Sequence, residues 1–130
     1  MDARIDAHAD IGLPVGQSHV IRVAGARIGE DVLRSLHLST ALLGTRGCLV
    51  LGHTDCGLHD RDGDLGEKLR ALDPLRNAWG HFTDPERAVR DDVAALLAWP
   101  GAPRPWAVAG GILDVRDGSV RTIVPPTRAG

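Results

Sequence analysis

Two side chains with metal-binding chemistry stand three positions apart in Gly47-Cys48-Leu49-Val50-Leu51-Gly52-His53-Thr54-Asp55-Cys56-Gly57. Imidazole plus thiolate is a donor set suited to zinc. The apolar run Cys48 to Leu51 reads as a buried strand. A strand that stops at Gly52 releases His53 and Cys56 into a tight loop, where both can aim at one point. Two ligands do not make a zinc centre, which takes three protein ligands plus water, or four protein ligands. Taken alone, the spacing more often marks a loop histidine beside a buried free cysteine. A third use of the pair, with Cys56 as nucleophile and His53 as base, needs an oxyanion hole, and no segment offers one.

Composition narrows the partners. With 130 residues the chain reads as one domain, 1–130, with enough length for a core. Aromatic content of 3% without tyrosine argues against a stacking platform for nucleic acid, and a formal charge of -2 argues against an electrostatic footprint for it. No apolar run reaches the length of a membrane span. Two cysteines without a secretory pattern predict a reducing, cytoplasmic setting, where cysteine serves as ligand or nucleophile more often than as disulfide. The neighbours of Gly25 form no G-x-G-x-x-G cradle, which disfavours a phosphate-binding enzyme.

The elements that must position the pair follow from pattern. Residues 5 to 18, rich in Asp, Gly, Pro and His, read as loop with one helical turn near Ala9 to Leu13. The β-branched His19 to Val23 predicts a strand. Val32, Leu33, Leu36, Thr40 and Leu43 keep a helical period from Gly29 to about Leu43, with Glu30 and Asp31 in the first turn and Gly44 as the stop. A short helix fits Leu65 to Leu72, ended by Pro74. Thr83 with Glu86 forms a capping box, and Asp84 before Pro85 is the alternative cap, for a helix to about Trp99 carrying Val89, Val93, Leu96 and Leu97 on one face. Trp106 to Ala109 predicts a strand. Ile112 to Val115 and Val120 to Val124 flank Arg116-Asp117-Gly118-Ser119 as a hairpin, and the tail from Pro125 to Gly130 is expected to fray. The order predicts an α/β fold, a mainly parallel sheet with flanking helices and an antiparallel C-terminal hairpin. Sites in such folds form at the carboxyl ends of parallel strands, where His53, Cys56 and Ala24-Gly25 fall.

Three pieces together resemble the β-class carbonic anhydrases, in their compact prokaryotic branch. Met1-Asp2-Ala3-Arg4 matches the tail of that family's Cys-x-Asp-x-Arg motif, and His53-Thr54-Asp55-Cys56-Gly57 matches its His-x-x-Cys motif. His19 to Gly25, Asp31 to Leu36 and Val108 to Gly118 resemble the stretches between and after them, so the similarity spans the chain in order. The resemblance implies zinc on His53 and Cys56, and a catalytic pair in which Arg4 orients Asp2. Asp2 then either accepts a hydrogen bond from zinc-bound water or ligates zinc itself. The activity implied is reversible hydration of carbon dioxide to bicarbonate by zinc-bound hydroxide, in a homodimer. Gly25 and Gly57 would serve close backbone approach at the site. Cys48 is expected to be a buried structural cysteine and His59 an ordinary loop histidine rather than a proton shuttle.

One departure stands against these matches. The family's first zinc-ligating cysteine would immediately precede Met1, and its N-terminal helices and first strand are missing from the chain. The expectation is therefore an N-terminally truncated sequence whose Met1 is an internal methionine preceded by a cysteine. The rival expectation is a metal-poor, inactive homologue that acts as a binding or assembly partner.

Overall fold

Three strands carry the candidate site in the structure, a computed structural model that describes residues 1–129. β1 (Gly47–His53) pairs in parallel with β2 (Trp106–Leu113), and β2 pairs antiparallel with β3 (Val120–Ala129). Around them lie α1 (Ala7–Ile11), a 3₁₀ turn at Ala24–Ala26, α2 (Glu30–Leu43), α3 (Leu65–Leu72) and α4 (Pro85–Leu97). This is an α/β arrangement with a mixed sheet, flanking helices and an antiparallel closing pair.

α4 packs against all three strands, and its Ala88, Val89, Val93 and Leu96 share the core with Trp106, Val108, Ile112 and Leu113 of β2. Of the two caps the sequence allowed, Asp84 is the one used: its carboxylate accepts from the backbone N–H groups of Glu86 and Arg87, with Pro85 in the first turn. Val89, Val93 and Leu96 are buried from one face of α4, and the indole of Trp106 donates to the Leu96 carbonyl at 3.1 Å. The sequence pattern split Trp106–Ala109 from Ile112–Val115. The structure runs one strand through Gly110-Gly111, because α4 lies too close for a side chain there: a Cβ on Gly110 would stand 2.6 Å from Val89 Cγ1.

The tail also departs from expectation. Thr127, Arg128 and Ala129 pair with Val108, Ala107 and Trp106, so β3 continues where fraying was predicted. Pro125 and Pro126 fall within the register shift between the Gly110 and Val108 pairings, on the sheet's outer strand, where a missing N–H is tolerated. Gly130 lies outside the described residues.

His19 to Val23, predicted as a strand, pairs with nothing among the described residues. Strand propensity reports a fit to a pleated surface and cannot by itself supply a backbone partner. A groove of about 700 Å³ is lined by this segment and by Gly47 to Leu51 of β1, with Val32 and Leu36 of α2. α2 begins at Glu30 and stops at Gly44, whose φ of +76° suits glycine. Val32, Leu36 and Thr40 are buried as its periodicity requires, but Leu43 faces out. α1 starts earlier than the turn expected near Ala9, because Asp6 caps it by accepting from His8 and Ala9 N–H.

Candidate metal centre

His53 is the last residue of β1, and the loop that follows is stapled to the end of β2. Thr54 N–H donates to the Leu113 carbonyl at 2.8 Å, while the Thr54 hydroxyl accepts from Val115 N–H and donates to Asp114 at 3.4 Å. The imidazole Nδ1 of His53 lies 2.7 Å from the Thr54 carbonyl. A carbonyl only accepts, so Nδ1 carries the proton and Nε2 keeps the lone pair that a metal needs. His53 and Cys56 line one small cavity of about 10 Å³, together with Gly25, Asp92 and apolar residues of β1, β2 and α4. Gly25 holds its 3₁₀ turn at φ +64°, and a Cβ there would meet Leu58 at 3.0 Å, which is the close approach expected of it. Gly57 is under no such constraint, since a Cβ on it would meet nothing within 4 Å.

Residues 1 to 5 reach the same strand end from the front of the chain. Arg4 grips the Asp2 carboxylate with two parallel bonds, Nε to Oδ1 at 2.9 Å and a terminal nitrogen to Oδ2 at 2.8 Å, and its own backbone N–H adds a third. These side-chain and backbone hydrogen bonds from Arg4 hold the Asp2 carboxyl well below the usual carboxylate range. Asp2 Oδ2 stands 3.9 Å from His53 Nε2. Arg22 donates to the carbonyls of Asp2 and Ile5, and the Met1 amino group to the Val23 carbonyl. Arg4 also donates to the Asp55 carboxylate at 2.9 Å and to the Asp55 carbonyl at 3.1 Å.

The geometry therefore brings Asp2, Arg4 and His53 into one cluster, with Cys56 on the same loop as His53. Among the described residues no three His, Cys, Asp or Glu side chains are gathered closely enough to hold a metal ion. The chemistry of the donors fits zinc: an imidazole nitrogen free to ligate and a thiol three positions on are able to supply two positions of a tetrahedral site, with a carboxylate near by. Cys48 is partly buried, and burial pushes its thiol up to about 11, which leaves it inert at neutral pH. His59 is occupied: Nε2 donates to the Thr83 carbonyl, Nδ1 accepts from Arg61, and the ring stacks on Phe82. Pattern reading missed Asp55 and Arg22. Asp55 lies inside the His-x-x-Cys motif and was legible only as spacing; Arg22 carried no signal beyond its charge.

The family model for carbonic anhydrase matches residues 1–95. β-Carbonic anhydrase 1 of Mycobacterium tuberculosis is 34% identical over 128 residues, which cover 96% of this chain and 78% of that protein. A carbon disulfide hydrolase of Saccharolobus solfataricus is 36% identical over 64 residues, 49% of this chain and 31% of that protein. Among solved structures, a carbonic anhydrase from Streptococcus mutans superposes with a TM-score of 0.84 at 37% identity, covering 95% of this chain and 76% of that one. A carbonic anhydrase from Glaciozyma antarctica gives 0.80 at 35% identity, covering 95% and 78%. Sequence and fold agree over nearly the whole chain, and the chain belongs to the β-class carbonic anhydrases, a family of lyases.

Proposed function

We propose that this protein hydrates carbon dioxide reversibly to bicarbonate, with zinc held by His53 and Cys56. The observation that carries the reading is the Asp2 carboxylate, forked by Arg4, 3.9 Å from the free nitrogen of His53 at the carboxyl end of β1. When bound, zinc supplies Lewis-acid activation of water at neutral pH. The chain's own residues then have separable tasks. The Nδ1–H bond to the Thr54 carbonyl fixes the His53 ring, and Thr54 ties the loop to β2. Asp2, kept ionised by Arg4, can only accept hydrogen bonds, so it orients a donor placed between itself and His53. The grip of Arg4 also makes Asp2 a weak proton acceptor, so its part is orientation more than outward proton carriage.

Chain 1–130 acts as one unit, and two copies associate through the apolar side chains that α2 and β1 leave exposed, Leu38, Leu42, Leu43 and Leu49. Cys48 and Cys56 are both free thiols, in keeping with a reducing cytoplasm. No helix is long and apolar enough to cross a membrane among the described residues. A second reading, an inactive metal-poor homologue, is favoured by one observation, the lack of a third gathered ligand among those residues.

Metal content and hydration rate decide between the two. We expect the 130-residue chain to lose zinc on dialysis against a chelator, since a missing thiolate costs several of the roughly 10–16 kcal/mol typical of structural zinc sites. The same chain with one cysteine added directly ahead of Met1 should retain one zinc and hydrate carbon dioxide in stopped flow. In that form Asp2→Asn should slow hydration about 10²-fold at unchanged zinc content. A zinc-loaded form that hydrates no faster than buffer would leave the inactive homologue as the answer.

A further inference from the structure

We propose that Asp55, between His53 and Cys56 of the loop, is a positioning residue that holds Arg4, and through it Asp2, against the end of β1. The Asp2–Arg4 pair spans only two positions, so its hydrogen bonds are local and would persist wherever the segment lay. They fix the shape of the pair and say nothing of its place. Its place is set by bonds that cross the chain. Of the five N–H donors that a guanidinium carries, one reaches the Asp55 carboxylate at 2.9 Å, and the nitrogen that binds Asp2 Oδ2 also reaches the Asp55 carbonyl at 3.1 Å. Both contacts join residues 51 apart in sequence, and both land between His53 and Cys56.

The backbone at Asp55 is built for this double contact. Its φ of +52° lies in the left-handed region, which aspartate tolerates better than most residues, and from it carbonyl and carboxylate both reach Arg4. Arg61 takes the other carboxylate oxygen at 3.3 Å, so Asp55 sits between two guanidinium groups. Arg22 binds the carbonyls of Asp2 and Ile5 and steadies the backbone, while the Arg4 head is shared between Asp2 and Asp55. The Asp55 side chain is 61% exposed, and exposed ion pairs add little to folding stability. What the contact supplies is position, to which reacting groups are sensitive on the scale of 1 Å.

The inference rests on the reading that Asp2 works at the His53–Cys56 loop, but its first test needs neither metal nor turnover. In the metal-free 130-residue chain, nitrogen relaxation gives the order parameter of the Arg4 Nε–H bond. Asp55→Gly removes the carboxylate and keeps the left-handed backbone, whereas Asp55→Asn keeps an acceptor oxygen. We expect the Arg4 order parameter to fall from a rigid value of about 0.85 to below about 0.6 in Asp55→Gly. Asp55→Asn should retain most of the order, and the unfolding midpoint should not move in either variant. An Arg4 head as ordered in Asp55→Gly as in the parent overturns the proposal. The second test uses the form with a cysteine ahead of Met1: Asp55→Gly should lower kcat about tenfold to a hundredfold with KM and zinc content unchanged. If the parent form hydrates no carbon dioxide, the functional reading fails while the relaxation result still decides the role of Asp55.

Discussion

On one side of the sheet α4 closes over β2 and leaves nothing of Trp106 or Leu96 exposed. Along the free edge of the sheet β1 lines an open groove of about 700 Å³, and α2 leaves Leu42 and Leu43 74% and 67% exposed. The candidate centre stands at the seam. His53 belongs to a strand that the closed side anchors, while Asp2 and Arg4 come from the open side and are held by ion pairs and carbonyl bonds. Apolar packing thus secures the His53 half of the candidate site and directional polar contacts secure the carboxylate half. The two halves should respond differently to mutation, pH and salt.

The largest effect belongs to the closed side. Leu96→Ala removes a fully buried side chain and should cost about 2–5 kcal/mol, read from urea unfolding. Gly110→Ala follows at about 1–3 kcal/mol, because the new methyl would meet Val89 and Val93 and α4 would have to shift. A thermal melt unchanged in Gly110→Ala would show that α4 is not pressed against the sheet.

Acid should act at the seam. Hydrogen bonds from Arg4 and Arg116 hold the carboxyls of Asp2 and Asp114 below their ordinary range, so their folded pKa values lie below the unfolded ones. Their contribution is fully present above the unfolded value, about 3.9, and is lost as pH falls through the folded one. Asp92 has the opposite sign: burial raises its carboxyl more than the nearby Arg27 lowers it, so its contribution fades as pH rises through the folded value. Stability measured from pH 5 to pH 2 should fall, and Asp114→Asn should flatten that fall. An equally steep curve in the variant would remove Asp114 from the account.

The smallest effect is expected from Leu42→Ser on the open side, within about 0.5 kcal/mol of the parent in dilute solution. The loss should grow with protein concentration as a second copy covers this face, and a loss that stays this small at every concentration would remove Leu42 from the proposed contact between copies.

Much of this was written in local pattern. The helical period of Val89, Val93 and Leu96, the Asp84-Pro85 cap and the apolar run before Gly52 need only neighbours a few positions away, and each appears in the structure at nearly the expected residues. The His53–Cys56 spacing and the family likeness were equally legible. His19 to Val23 shows where local pattern stops: its residues favour a strand, but a strand exists only where another backbone meets it.

The sequence by itself determined where the helices and their caps fall and which side chains can ligate or titrate, because propensity, capping and donor chemistry are properties of residues and short windows. Tertiary structure alone decided that β3 continues through Pro125 and Pro126, that Gly110 is a contact site for α4, and that Asp55 meets Arg4 across 51 positions. Those outcomes depend on which backbones approach each other, and no window of sequence contains both partners.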